Sequence, residues 1–254
     1  MTALRSLLFN AFFYGWTTIC VVAGLPLLLG PRIAIYYLGR LWVRPVLAAL
    51  ALICGLDYQV RGRENLPAGA ALIAAKHQSA WDTIIFSVPL WDHSFVLKRE
   101  LTWIPLFGFF LARAGLIPVD RQGGSKALRR MVAAARQVAA AGRPIVIFPE
   151  GTRVAPGQHR PYQPGVAALY GQLGIPVVPV ALNSGVFWGR RSVWKQPGRI
   201  TLEFLPPIAP GLPRRAFLER LETAIEERSA ALAREAGAEA PAELSKQGKS
   251  LAEK

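Results

Sequence analysis

Ala70-Ala71-Leu72-Ile73-Ala74-Ala75-Lys76-His77-Gln78-Ser79-Ala80-Trp81-Asp82 is the stretch around which the rest of the chain is organised. Its opening apolar run is short and bounded, which predicts a buried strand over Ala70–Ala75. A turn follows at Lys76 and His77. Ser79 can cap a helix expected over Ala80–Leu90, and Asp82 then falls in that helix's first turn. Only three- and four-residue spacings share a helical face, so residues five apart point away from each other. His77 therefore meets Asp82 only if it sits ahead of the helix and the chain folds back at the cap. In that geometry Asp82 holds one imidazole nitrogen and leaves the other free to take a proton. The competing reading is a half-buried histidine in a loop, with an acid favoured by the helix dipole.

Outward from this stretch, short apolar runs alternate with helical segments. Strands are expected at Tyr58–Val60, Phe95–Leu97, Leu116–Val119, Ile145–Phe148, Val177–Leu182 and Ile200–Phe204. Helices are expected at Ser125–Ala141, with Gly142 closing it, at Pro164–Leu173, and at Arg214–Glu235. The alternation predicts an α/β fold, a largely parallel sheet flanked by helices. Sites in such sheets form at the carboxyl ends of strands. His77, Asp120 with Arg121, and Pro149 with Glu150 each follow an expected strand directly.

The amino-terminal part is different. Leu7 to Leu29 is apolar with Asn10, Thr17 and Thr18 as its polar breaks. Such a run is long enough to cross a hydrocarbon core of about 30 Å. Pro26 and Pro31 stand where a cleavage site of small residues would follow a signal peptide. Ile33–Leu56 is also apolar but carries Arg40 and Arg44 on one face, near Tyr36, Tyr37 and Trp42. That pattern suits a helix at a lipid interface. Residues 1–56 are thus expected to form a membrane-embedded helical pair, either a hairpin or one inserted and one interfacial helix, ahead of an α/β domain over 57–236. A helix buried against the soluble domain is the alternative. The tail, 237–254, is rich in Ala, Glu and Lys and is expected to be disordered.

Hydrophobic residues make up 52% of the 254, with a net charge of +14. The first figure favours membrane contact, the second an acidic partner such as anionic lipid, nucleic acid or a phosphorylated substrate. Cys20 and Cys54 both lie in apolar segments, which argues against a disulfide framework and for a reducing compartment.

Phe148-Pro149-Glu150-Gly151-Thr152-Arg153 is the second loaded strand end. Gly151 lets backbone approach a ligand, Thr152 and Arg153 are donors, and Arg153 can grip a phosphate with two parallel bonds. Glu150 can order Arg153 or accept from a substrate hydroxyl. Lys98 and Arg121 add cations at further strand ends, so with Arg153 they can form an anion site; singly, each reads as a solvated charge.

Together these residues resemble the glycerolipid acyltransferases that make phosphatidic acid from lysophosphatidic acid. His77-x-x-x-x-Asp82 is similar to the family's first block; Lys98-Arg99-Glu100-Leu101 with Ile104-Pro105, Gly108 and Val119-Asp120-Arg121 is similar to its second. Phe148 to Arg153 resembles the third, and Val178-Pro179-Val180-Ala181 the fourth. The resemblance implies His77 as general base, Asp82 as its orienting acid, and the third block as the seat of the acceptor's glycerol phosphate. It implies no metal and no bound cofactor, with acyl-CoA or acyl carrier protein as thioester co-substrate. Expected partners are a membrane lipid acceptor, that acyl donor and an anionic membrane surface, with no nucleic acid. Related bacterial enzymes embed an amino-terminal helical pair in one leaflet, which implies an inner-membrane protein with its catalytic domain facing the cytoplasm. Gln78 and Ser79 depart from the family pattern, and Gln78 is left without a role. No Gly-x-Ser-x-Gly elbow occurs, so no covalent acyl-enzyme is expected.

Rival readings are another acceptor (glycerol 3-phosphate, lyso-ornithine lipid or another lysophospholipid), a non-enzymatic basic membrane- or nucleic-acid-binding protein, and a hydrolase or metal site on His77, Asp82, Asp92 and His93. Asp92 and His93 are adjacent and lack ligand spacing.

Overall fold

Strand β2 (Leu72–Ala75) is buried along its whole length, because both faces of the sheet are covered. Its side chains alternate between two cores. Ile73 and Ala75 join one with α2 and α3, and Leu72 and Ala74 join the other with α5, α6 and α8. These elements belong to a computed structural model that describes residues 2–237. In chain order they are α1 (Thr2–Gly24), α2 (Arg32–Cys54), β1 (Leu56–Arg61), β2, α3 (Trp81–Ile85), β3 (Ser94–Lys98), α4 (Phe107–Arg113) and β4 (Ile117–Val119). There follow α5 (Gly124–Ala140), β5 (Ile145–Ile147), α6 (Pro164–Leu173), β6 (Val177–Leu182), α7 (Ser184–Phe187), β7 (Gly198–Phe204) and α8 (Arg214–Glu235).

The seven strands form one sheet in the order β1-β7-β6-β2-β5-β3-β4. Every neighbouring pair is parallel except β6 with β7. The expected largely parallel α/β sheet is what the chain forms. Register sets the working edge. Ala74 pairs with Ile147, Ala75 with Val180, and Lys98 with Val119, so β2, β5, β6, β3 and β4 deliver their carboxyl ends to one side.

Helix α3 is shorter than the expected Ala80–Leu90 and ends at Ile85, with turns to Pro89. Pro89 has no N–H to donate and disfavours helical geometry at Val88. The apolar run Leu7–Leu29 is also divided: α1 stops at Gly24, and Leu25–Leu29, with Pro26 in it, is a tight 3-10 turn. Helix α4 falls in a segment for which no helix is expected. The tail beyond Gly237 lies outside the described residues.

Helices α1 and α2 form an antiparallel hairpin. Trp16 Nε1 donates to the Trp42 carbonyl at 3.1 Å, and Trp42 Nε1 donates to Thr17 Oγ1 at 2.9 Å. α1 buries Ser6, Phe9, Cys20 and Gly24 while exposing Leu4, Leu7, Leu8, Tyr14, Ile19 and Val22. α2 packs Val43, Val46, Leu47 and Leu50 onto the α/β domain, so the alternative of a helix buried against the domain holds for one face of it. Lys195 pins α1 to the domain: its backbone N–H donates to Ser6 Oγ at 2.9 Å, and its ammonium bonds Asn10 and stacks over Phe9 and Trp188. Both hairpin helices are long and apolar enough to cross a membrane.

Candidate active site

The turn between β2 and α3 folds back as the sequence requires. Asp82 is fully buried, and its Oδ2 accepts from the backbone N–H of Gln78 (2.6 Å) and of Ser79 (2.8 Å). The same oxygen lies 2.9 Å from His77 Nδ1. Ser79 is not the helix cap proper. Ala80 occupies that position, while Ser79 Oγ accepts the Trp81 N–H at 3.2 Å. With Nδ1–H given to Asp82, Nε2 of His77 carries the free lone pair. The ring lies flat on Phe148, centroids 4.0 Å apart and planes within 18°, so stacking and the hydrogen bond together fix its orientation.

The loop after β5 clasps this turn. Val154 N–H donates to the His77 carbonyl at 2.7 Å, and His77 N–H donates to Glu150 Oε2 at 2.9 Å. Glu150 Oε1 lies 2.6 Å from Lys76 Nζ, which also bonds both oxygens of Glu226 at 2.8 and 2.7 Å. Lys76 and Glu150 are almost completely buried. Burial pushes Glu150 up to about 7, against the pull of Lys76 and the His77 N–H. Glu150 thus faces inward under the turn: Oε2 accepts from the His77 N–H, while Oε1 lies against the Lys76 ammonium as an ion contact without an aligned hydrogen bond. Neither orders Arg153. Gly151 supports the tight reversal beyond it: φ is +68°, and a Cβ there would sit 3.0 Å from Gln163 Cγ.

The remaining candidates lie on neighbouring strand ends. Arg153 follows β5, is half-buried, and has no acidic partner within 4.0 Å among the described residues. Thr152 beside it is half-buried. Lys98 ends β3 and lies 3.3 Å from Glu100, while Arg99 pairs with Asp120 at 3.1 Å. Arg121 follows β4 and is exposed overall; partial desolvation of its guanidinium lowers its basicity, and Glu100 partly restores it. Glu100 therefore tempers two of the three expected cations, and Arg153 is the least neutralised.

Asp92 and His93 are on the other edge of the sheet, ahead of β3. Asp92 is held by Arg32 through two bonds of 2.5 and 2.6 Å, and burial depresses His93 to about 3. They stand a strand's length from His77, and the site imagined on all four residues does not assemble.

Two residues of the site carry no expected role. Ser184 Oγ donates to Asp82 Oδ1 at 2.5 Å from 102 positions away, with both groups fully buried. Gly185 N–H donates to Gln78 Oε1 at 3.0 Å, which accounts for Gln78. Their signal was present: Ser184 follows β6, another parallel strand ending on the same edge.

The sequence and the fold have known relatives. A family model described as Acyltransferase matches residues 57–183, half of the chain. The 1-acyl-sn-glycerol-3-phosphate acyltransferase of Pseudomonas aeruginosa is 34% identical over 224 residues, covering 85% of this chain and 86% of that one. The chain belongs to the acyltransferase family. Its similarity extends to the alpha form of 1-acyl-sn-glycerol-3-phosphate acyltransferase in Mus musculus, 26% identical over 205 residues, with 78% of this chain and 70% of that one covered. The crystal structure of the Thermotoga maritima 1-acyl-sn-glycerophosphate acyltransferase superposes with a TM-score of 0.75 over 91% of this chain and 98% of that one. At 21% identity that match speaks for the fold. Family membership and the exposed apolar hairpin together make this acyltransferase a membrane-associated protein.

Proposed function

We propose that this acyltransferase moves an acyl group from a thioester of coenzyme A or acyl carrier protein to the free hydroxyl of lysophosphatidic acid, giving phosphatidic acid. The observation that carries the proposal is the buried Asp82 carboxylate 2.9 Å from His77 Nδ1, at the edge where the cation-bearing strands end. His77 Nε2 takes the hydroxyl proton as that oxygen attacks the thioester carbonyl. Asp82 stabilises the imidazolium so formed. The C–O bond forms, the C–S bond breaks, and His77 returns the proton to the departing sulfur. The acceptor's phosphate is held by Arg153, with Lys98 and Arg121 beside it and Gly151 and Thr152 shaping the loop. The names of the relatives support the acceptor, and the hairpin keeps acceptor and product in the bilayer. Thioester donors are water-soluble, and Cys20 and Cys54 are free and buried; the catalytic domain is accordingly assigned to the cytoplasmic side.

Ser184 is proposed as a positioning residue that aims the Asp82 carboxylate. Ser184→Ala should lower kcat about tenfold with little change in KM, the scale of one hydrogen bond to a charged group. Ser184→Thr should restore it, and in an Asp82→Asn background Ser184→Ala should lower kcat much less than it does alone. A full second loss in that background would show that Ser184 does not act through Asp82.

The direct test of function is purified protein with labelled acyl-CoA and a panel of lyso-lipids with and without a phosphate monoester. A bidentate charged contact contributes roughly 1.5–3 kcal/mol, or about 10- to 150-fold in binding. Arg153→Ala should raise KM for lysophosphatidic acid by that factor, more than Arg153→Lys does, and leave phosphate-free acceptors nearly unaffected. A wild-type preference for a phosphate-free lyso-lipid that survives Arg153→Ala would replace the acceptor assigned above.

A further inference from the structure

Beyond the hairpin, the α/β domain exposes a second concentration of apolar surface. Of the nine large apolar side chains exposed among described residues after Leu56, six lie within one short stretch: Leu101, Trp103, Ile104, Leu106, Phe107 and Phe109. Trp103 and Phe109 are each 64% exposed. This stretch joins β3 to β4 and includes α4, and specific backbone geometry shapes it. Leu106 has φ +60°, a strained value for a branched residue, which turns the chain at that point. Gly108 closes against backbone, since a Cβ there would lie 2.1 Å from the Thr102 carbonyl oxygen. Backbone donors are satisfied within the stretch: Phe107 to Pro105, Gly108 to Ile104 and Phe109 to Leu106, at 2.7, 2.8 and 3.1 Å. Apolar side chains over internally bonded backbone are what a lipid environment requires.

The surface is continuous with the hairpin. Arg113 at the end of α4 donates to the Leu28 and Gly30 carbonyls, at 3.1 and 2.5 Å, fastening α4 to the hairpin's tip. Gly24 at the end of α1 packs closely against Phe110. Leu29, beside the fastened carbonyls, is 92% exposed. A patch this dense on a soluble surface marks an interaction site, and the neighbouring element is the one that meets the membrane.

We propose that residues 99–113 form a second lipid-facing surface, seating the catalytic domain on the bilayer beside the hairpin. Lys98, where the stretch begins, ends β3 on the active-site edge, so a lipid acceptor can keep its chains in the bilayer while its head group reaches the strand ends. The proposal rests on the membrane association and acceptor assigned above. Its test uses the full chain with Cys20→Ala and Cys54→Ala, and a nitrobenzoxadiazole fluorophore on Phe109→Cys, Tyr14→Cys or Lys126→Cys. Each protein is placed in phosphatidylglycerol–phosphatidylethanolamine vesicles carrying nitroxide-labelled lipid. The probes at 14 and 109 should shift to the blue and be quenched, while the probe at 126 stays aqueous. Entry at 14 without entry at 109 overturns the proposal and leaves the hairpin anchor standing; entry at neither removes both. A blue shift at 109 that resists the lipid quencher and grows with protein concentration means a second copy covers the face, and overturns it too. Trp103→Glu with Phe109→Glu should raise KM for vesicle-borne acceptor by about tenfold or more, from the apolar area no longer buried in lipid. Turnover of a short-chain, water-soluble acceptor should not change; an equal loss on both would refute the lipid role.

Discussion

Replacing His77 with alanine should lower turnover by on the order of 100- to 10,000-fold, the usual contribution of a positioned general base. The structure adds a companion expectation for Asp82→Asn. Asp82 accepts backbone N–H groups at Oδ2 and the Ser184 hydroxyl at Oδ1. An asparagine oxygen can keep the backbone bonds while its amide donates to Ser184 Oγ, which can accept. The turn therefore survives, the negative charge opposite the imidazolium disappears, and kcat falls without loss of fold. Circular dichroism and thermal melting close to wild type, beside a large fall in kcat, are the expected result. Near-normal turnover of His77→Ala would remove the mechanism altogether.

The largest effect on stability should come from Lys76. Lys76→Met leaves Glu150 buried without its cation, and breaking one side of a buried ion pair costs about 3–5 kcal/mol. For a chain of this size that corresponds to a fall in Tm of roughly 10 °C. The loss should depend on pH in a defined sense. Glu150 is already raised to about 7 by burial, and removing Lys76 raises it further. A carboxyl whose folded pKa lies above its unfolded one binds its proton more tightly when folded, so stability is lost as pH rises above the unfolded value. Lys76→Met should be strongly destabilised at pH 8 and much less so at pH 5. A destabilisation that does not vary with pH would show that lost packing, not the stranded carboxyl, is responsible. Because His77 N–H donates to Glu150 Oε2, activity should fall along with stability.

Much of the candidate site's geometry was legible because it is local. His77 and Asp82 are five residues apart, and the requirement that the chain fold back between them follows from helical geometry alone. Strands are readable for a similar reason: a run such as Val177–Leu182 is wholly apolar, and it matches β6 end to end. Where local signals conflicted, the reading was less complete. Pro89 shortens α3, and Phe107–Arg113 is helical although one apolar face is covered by no other element among the described residues.

What the sequence by itself determined is the alternation that demands a parallel sheet, the histidine–aspartate turn and the apolar start, since each rests on spacing along the chain. Which strand ends lie side by side was decided by the sheet order, and no local pattern carries it. That order turns Glu150 beneath His77 as a buried partner of Lys76, and sends Asp92 and His93 to the far edge. It also brings Ser184 across 102 residues to Asp82. A buried carboxylate must be satisfied from every direction, and its partners come from whichever strand the fold sets next to it.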